Sequence, residues 1–433
     1  MKDIINKYTE MNLVIRIVIG SIVGIAVALA LRPFIITADG SEPAVIAGFM
    51  GGIVNAFGTL FVGALKGIAP ILVFFLVATS LAKTKVGQGA TLKRVLVLYI
   101  IGTVLAALLA VGMSNLIVVD MVFPKDTDLS SFAPPSGLGQ VITNLLANVV
   151  TNPLASMANA NYLGVLFWAV LTGIALRAWA TEGLQKALVS ISNALTCMVR
   201  WIIQFAPFGI MGLIYAAVIE NGLNIFIDYG MLLIVLVGSM LAMFFIVNPL
   251  IVFLNTRQNP YPLVWKCISR SAITAFFTRS SAANIPVNME LCEELGLEED
   301  NYSISIPLGA TINLEGAAIT ITVMTLAACH TLGIEVDFAS SILLSILAAV
   351  GACGSSGVAG GSLLLIPMAC SLFGIPADIS AGVIGVGFIV GVIQDSMETA
   401  LNSSTDALFT TTAEIAHTKK VGKPIPKGVP GMK

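Results

Sequence analysis

The stretch TINLEGAA, residues 311–318, lies between SISIPLG and ITITVMTLAAC, and its reading decides the fold. An ionisable Glu315, with Asn313 and Thr311 beside it, sits inside one of the most apolar parts of the chain. A soluble core rejects an unpaired carboxylate, and hydrocarbon rejects it harder. Polar residues spaced by two cannot share one face of a regular helix, because neighbours in the set point about 200° apart. An unwound segment between Gly309 and Gly316 lets them converge on one point and frees backbone carbonyls. Oxygen-only donor sets suit hard cations. The other reading is a protonated or paired structural carboxylate. Intramembrane ionisable residues are functional by default, since each costs at least about 2.5 kcal/mol to insert.

The surrounding composition belongs to a bilayer. Of 433 residues, 57% are hydrophobic and 11% charged, with mean hydropathy +0.95, whereas soluble domains carry about 25% charged residues. MLLIVLVGSMLAMFFIVNPLIVFL, 231–254, exceeds the ~20 apolar residues that cross a hydrocarbon core. Six stretches read as ordinary spans: 12–32, 44–80 (kinked near Pro70), 92–118, 140–178, 187–219 and 229–254. The fourth holds Asn144, Asn148, Asn152 and Pro153 and is expected in pieces. None of the six shows a catalytic cluster.

Net charge is uninformative, but its distribution is not. Lys83, Lys85, Lys93 and Arg94 share one loop, Arg257, Lys266 and Arg270 another, and Lys419, Lys420, Lys423 and Lys427 lie near the end. Asp39, Glu42, Asp120, Asp126 and Asp128 mark the opposite loops. Basic loops stay inside, so both termini are expected in the cytoplasm and the number of spans is even. The start, MKDIINKYTEMN before an apolar run with ALA at 28–30, mimics a signal peptide. Its span length and the spans that follow favour an uncleaved first helix. Six cysteines without CxxC spacing and two histidines give no zinc or disulfide framework. His330 reads as an outer-end helix residue and His417 as part of a basic, mobile tail.

After Pro260 the pattern changes. Residues 262–296 offer two half-length apolar pieces around TRSSAANIP, and 340–373 offer two around GACGSSGVAGGS. About ten apolar residues make ~15 Å of helix, half a bilayer. Such pieces read as re-entrant hairpins, tolerated only where they are buried or line a cavity. Each is followed by a span with polar residues in its middle, 302–330 and 379–411. With six spans before it, the first hairpin enters from the cytoplasm and the second from outside. The two halves then have inverted topology, as in secondary transporters with a midplane site. A chance pair of glycine-rich interruptions is the alternative. In GVIQDSMETALNSSTDALF, residues Glu398, Thr399, Asn402 and Asp406 all lie within about 60° of Asp395's direction on a helix. That stripe must face a water- or ion-filled interior. Asp395 is placed to take an ammonium, and Asp406 with Asn402 to complete a cation shell.

No HExxH, GxSxG, phosphate loop or paired Cys/His set occurs, so the chemistry on offer is recognition and an enzyme is not expected. A gated channel stays open as a reading, because re-entrant glycine-rich loops also build selectivity filters. Carboxylates from several spans favour ion binding coupled to a solute.

TRSSAANIP, PLGATINLEGAA, GSSGVAGG and DSMETALNSSTD together resemble the dicarboxylate/amino acid:cation symporter family, in an order and spacing that cover nearly the whole chain. The resemblance implies an all-α integral membrane protein of the elevator type, with eight transmembrane helices and two re-entrant hairpins in an inverted repeat. It implies a homotrimer in the cell (inner) membrane, in contact with lipid and not with nucleic acid. Residues 1–90 (spans 1 and 2) and 126–222 (spans 4 and 5, with trimer contacts) would form a scaffold. Residues 91–125 (span 3) and 223–411 (span 6 to span 8, with both hairpins) would form the moving transport domain, and 412–433 a cytoplasmic tail. Ser280, Ser281, Ser355, Ser356, Gly357, Val358 and Gly360 would flank the substrate backbone. Asp395 would hold its ammonium, and Thr399 and Asn402 would contact the amino acid. No cofactor is implied; sodium, the coupling ion, would be held by Glu315, Asp406 and Asn313 with carbonyls of Gly309 and Asn402. A further sodium site would involve Tyr99, Thr103 and Thr311.

Two departures from the family pattern matter. Where relatives read N-M-D-G-T this chain reads N-L-E-G-A, so Glu315 is one methylene longer and Ala317 lacks a hydroxyl. Acid-selective members place an arginine just before the Thr of the last span, and here Glu398 stands there. An arginine clamps a side-chain carboxylate bidentately, and a glutamate repels it. Glu398 could instead pair with Arg279. The expected activity is sodium-coupled import of small neutral hydroxy amino acids, serine and threonine, with an acidic amino acid or dicarboxylate as the alternative substrate.

Overall fold

Long apolar runs satisfy their own backbone in hydrocarbon by coiling into helices. The computed structural model describes residues 11, 13–35, 45–83, 90–121, 143, 146, 147, 149–353, 355, 360–422 and 424–431. Among the described residues every regular element is helical. Eight helical stretches are long and apolar enough to cross a bilayer: Ile15–Ile35, Gly48–Thr79, Thr91–Leu116, Tyr162–Trp179, Glu182–Gln204, Gly222–Thr256, Glu299–Thr331 and Ala377–Lys420. Ile22, Leu60, Ile100, Ile234 and Ile246 stand exposed along them, a surface suited to lipid rather than water. The chain is a multi-pass membrane protein, with the expected count of spans.

The first half comprises α1 (Leu13–Ile35), α2 (Val45–Lys83), α3 (Ala90–Leu116), α4 (Pro153–Ala158), α5 (Tyr162–Trp179), α6 (Glu182–Gln204) and α7 (Ala206–Asn221). α1 packs on α7, and α2 on α5, α6 and α7. Small residues set the first contact: a Cβ at Gly20 would lie 2.2 Å from Pro207 O, and one at Gly24 would lie 2.6 Å from Met211 O. Glycines four apart let membrane helices approach this closely. The fifth stretch, expected as one span over 187–219, is two helices that meet at Phe205. Pro207 has no N–H to donate and breaks the ladder there. The expected interruption at Asn152–Pro153 is present as a helix start, with Asn152 Oδ1 accepting from Leu154 N at 3.0 Å and Ala155 N at 3.1 Å. Asn144 and Asn148 lie outside the described residues.

In the second half, α8 (Ile225–Ala242) runs through a π-helical turn (Met243–Val247) into α9 (Asn248–Thr256). The first hairpin is α10 (Tyr261–Cys267), a π-helical turn (Ile268–Ala272), α11 (Ile273–Thr278) and the returning α12 (Ser281–Glu294). α13 (Glu299–Ile312) and α14 (Glu315–Thr331) make the broken seventh span. The second hairpin is α15 (Phe338–Ala352), then a 3₁₀ turn (Ser362–Leu365) leading into α16 (Ile366–Leu372). α17 (Ala377–Lys420) closes the set and is its axis, with both hairpins, α13 and α14 packed around it. α3 joins this half, against α14, α15 and α17. The hairpin arms are longer than the half-bilayer pieces expected. α12 has 14 residues and α15 has 15, about 21 to 23 Å each, because polar residues such as Asn284 and Asn288 extend the helix beyond the apolar run.

The end of the chain also departs from expectation. α17 continues to Lys420 with 412–416 buried, so His417 lies on an ordered helical turn. Residues 424–431 fold back, and Val429 is 5% exposed in an apolar cluster with Leu263, Leu291, Leu295 and Phe409. Glu414 accepts from Glu298 N and Asn301 Nδ2, both at 2.8 Å, and Lys419 Nζ donates to Thr256 O at 2.7 Å. These partners are remote in sequence, which is why the basic charge alone suggested a mobile tail.

Candidate functional site

The carboxylate that opened the sequence reading sits at a break. α13 ends at Ile312 and α14 starts at Glu315, with Asn313 at φ −96°, ψ 79° and Leu314 at φ −122°, ψ 56°. Two residues are unwound rather than the whole 309–316 segment. Asn313 Nδ2 faces three acceptors on α17, Thr405 Oγ1 at 2.8 Å, Asp406 Oδ1 at 2.9 Å and Asn402 O at 3.2 Å. Asn402 Oδ1 in turn accepts from Gly316 N at 2.7 Å. The break is therefore held by side-chain amides that replace the missing helical bonds.

Gly309 is fixed by close approach: a Cβ there would lie 2.5 Å from Asp406 Oδ1 and 2.8 Å from Tyr99 Oη. Tyr99 Oη lies 3.1 Å from Thr410 Oγ1 and 3.2 Å from both Ser305 O and Asp406 O. Thr103 is buried one turn on, its hydroxyl bonded to Tyr99 O at 2.8 Å. Thr311 does not join them. It is exposed, with Oγ1 turned back to Leu308 O at 2.8 Å, since the helix continues through it. The convergence expected of three residues holds for Asn313 and Glu315 alone, which turn inward. Gly309 O accepts the Asn313 N–H at 2.9 Å as an ordinary helical bond.

One ligand-grade residue escaped the sequence reading. Asn248, in a span taken as ordinary, follows the π-helical turn of the sixth span and donates from Nδ2 to Glu315 Oε2 at 2.8 Å. Its signal was legible as a lone amide in FFIVNPLIVFL, and π turns recur at functional sites. Asn248 Oδ1, Asn313 Oδ1, Glu315 Oε1 and Asp406 Oδ2 have no hydrogen-bond partner among the described residues. Asn248–Glu315 and Asn313–Asp406 are two buried amide–carboxylate pairs, neither ion-paired with Lys or Arg among the described residues, and their free oxygens are of the type that suits a hard cation.

The other polar centre lies between the hairpin tips. Arg279 ends α11 in a left-handed conformation (φ +50°) and its Nε donates to Asp395 Oδ2 at 2.6 Å. Gly360, at φ +73°, donates its N–H to Asp395 Oδ1 at 2.9 Å. Arg279, Gly360, Phe388 and Asp395 line a cavity that faces Leu13 and Ile17 of α1. Ser280 caps α12, accepting from Ala283 N at 3.2 Å, and Ser281 is buried beside it. Ser355 N bonds to Ala352 O at 2.8 Å. Ser356, Gly357 and Val358 lie outside the described residues.

Glu398 does not pair with Arg279, which goes to Asp395 one turn earlier. Its Oε2 accepts from Ser362 Oγ at 2.7 Å, from Thr320 Oγ1 at 2.8 Å and from Gln394 Nε2. Thr399 Oγ1 is bonded to Asp395 O at 2.8 Å. The five-residue stripe is thus buried as expected, but it is not one wet face. Every residue from Glu398 to Ala416 is buried, so this part of α17 is enclosed on all sides and its polar residues divide among different partners.

Comparison with known proteins finds relatives over nearly the whole chain. The profile of the sodium:dicarboxylate symporter family matches residues 13–415. The chain is 49% identical over 430 residues to the serine/threonine transporter SstT of Bifidobacterium adolescentis, an alignment that covers 98% of this chain and 95% of that protein.

Proposed function

The chain belongs to the sodium:dicarboxylate symporter family, and from that premise we propose that it imports serine and threonine together with sodium. The observation that carries the coupling is the set of unpartnered buried oxygens from Asn248, Asn313, Glu315 and Asp406. Sodium bound there neutralises carboxylates that otherwise have no counter-charge. Tyr99, Thr103 and the carbonyls of Gly309 and Asn402 supply the surrounding oxygens.

Asp395 takes the substrate ammonium through a charge-assisted bond, exchanging Arg279 for it. Ser280, Ser281 and the 355–360 tip flank the amino acid, with Thr399 and Asn402 in contact with it. Glu398 sets the substrate class. At ~5 Å and an effective dielectric near 20, two like charges repel by about 3 kcal/mol, roughly a hundredfold against a side-chain carboxylate. The mutual packing of α1, α2 and α5 to α7 supports a scaffold role for them. The remaining spans and hairpins move as the transport domain, in a homotrimer of the inner membrane with both termini in the cytoplasm.

Arg279 favours a second reading. A guanidinium beside Asp395 is the group an acidic amino acid would seek. Radiolabelled serine uptake into proteoliposomes, with and without an inward sodium gradient and with unlabelled aspartate as competitor, separates the two. Sodium-driven serine uptake that aspartate does not inhibit supports the first reading. Uptake inhibited by aspartate supports the second, and sodium currents without solute point to a channel.

A further inference from the structure

Two carboxylates of α17, one helical turn apart, each receive a donor from the same short piece of the second hairpin. Gly360 N–H reaches Asp395 Oδ1 at 2.9 Å and Ser362 Oγ reaches Glu398 Oε2 at 2.7 Å. Residues three apart on a helix lie on one face, so the hairpin's returning strand is stitched to α17 at two adjacent points. The two stitches differ in what lies behind them. Asp395 shares its other oxygen with Arg279, a residue of the first hairpin tip. Glu398 is held from behind by groups that belong to neither hairpin.

That backing is a triangle of three side chains, Glu398, Gln394 and Thr320. Gln394 Nε2 donates both to Glu398 Oε2 and to Thr320 Oγ1, the latter at 2.7 Å. The Thr320 hydroxyl lies 2.8 Å from Glu398 Oε2. Gln394, Thr320 and Ser362 are fully buried and Glu398 is 5% exposed. The backbone is pinned as well, since a Cβ at Gly316 would lie 2.8 Å from Glu398 Cα. A carboxylate fixed by α14 and α17, with one donor arriving from the hairpin, is a stationary acceptor with a removable partner.

We propose that Glu398 is a positioning residue whose carboxylate, oriented by Thr320 and Gln394, holds the second hairpin closed through Ser362. This rests on reading the chain as a transporter whose second hairpin opens to admit solute. It assigns functions to Ser362, Thr320 and Gln394, and it gives the charge of Glu398 a second role, on the hairpin, beside its repulsion of a substrate carboxylate. Ser362 is the only one of the four that travels with the hairpin, so opening breaks one bond and leaves the rest of the network standing. A hydrogen bond to a charged acceptor is about twice as strong as a neutral one, which suits a catch that must hold until solute and ion arrive.

The chain carries its own reporter. Cys353 ends α15 at the hairpin tip, half-buried, with Sγ 3.6 Å from Ile312 O at the break. With Cys353 as the sole cysteine, its rate of modification by a membrane-impermeant reagent, measured in sodium without amino acid, reads hairpin opening. Ser362→Ala is expected to raise that rate at least tenfold while the protein stays monodisperse and the ratio of serine to aspartate affinity is unchanged. Thr320→Val and Glu398→Gln, which keeps an acceptor but loses its charge, are each expected to raise it less than Ser362→Ala. Glu398→Ala in the Ser362→Ala background is expected to add nothing, the signature of two residues acting through one bond. Wild-type labelling in Ser362→Ala overturns the proposal, as does a change of selectivity ratio in Ser362→Ala without a change of labelling. Because labelling needs no transported solute, it stands or falls separately from the serine uptake assay.

Discussion

The two hairpins resemble each other in sequence and differ in how they are fastened. The first is tied to α17 along its length. Asn284 Nδ2 reaches Ser403 Oγ at 2.8 Å and Ser271 Oγ at 2.9 Å, and Asn288 Nδ2 reaches Ser403 O at 2.7 Å. At its base Glu294 pairs with Lys266 and Arg270, and the folded-back end of the chain covers it. The second hairpin presents apolar arms, with Leu344, Ala348 and Leu363 to Ile366 buried, and its arm hydroxyls Ser341 and Ser345 bond to their own helix. Among the described residues its polar ties to α17 come from Gly360 and Ser362. Apolar contacts are non-directional and can be remade after a shift, whereas buried amide bonds fix one register. The contrast supports the second hairpin as the part that shifts relative to α17 and the first as a wall fastened to it.

Both hairpins lean on α17, so the largest effect is expected at the proposed sodium site on that helix. Asp406→Asn is expected to raise the sodium concentration for half-maximal uptake at least a hundredfold or to abolish uptake, since removing a buried anion costs about 3–5 kcal/mol. Unchanged sodium activation in an assembled protein would take Asp406 out of the site. Next, Asn288→Leu removes the buried amide bonds to Ser403 O and Oγ and is expected to lower stability by about 1–3 kcal/mol, read as a fall in Tm in detergent with or without serine. The matched change in the other hairpin, Ser345→Ala, removes only a bond to its own helix and is expected to cost less than about 0.5 kcal/mol. Equal losses from the two would erase the comparison.

Val429→Asp tests whether the end of the chain helps to make the first hairpin rigid. Losing a buried Val contact is worth about 2 kcal/mol, and amide exchange should rise over Leu291–Leu297 while the second hairpin is unaffected. The smallest effect belongs to Lys266→Ala. Its bridge to Glu294 spans 3.0 Å, but both side chains are about one-third exposed, and such pairs are worth about 0–1 kcal/mol. A large loss there would mean that surface charge, not the Asn284–Asn288–Ser403 network, holds the hairpin.

The sequence alone determined what the bilayer forces. Eight spans follow from apolar length, since backbone in hydrocarbon must be helical, and the pieces flanking TRSSAANIP and GSSGVAGG could not cross as single helices. Glu315, Asn313, Asp395 and Asp406 stood out because charge and amides are costly among apolar neighbours, whatever they touch. Tertiary structure decided the pairings. Periodicity put Glu398 and Asp395 on one stripe but could not say that Arg279 would choose Asp395, or that Ser362 and Thr320 would close on Glu398. Those partners are 36 and 78 positions away from Glu398, and no local pattern carries such distances. Asn248 and Thr311 were misjudged for the same reason. A polar residue in a span announces that it needs a partner, and only the packing of helices around α17 determines which partner it finds.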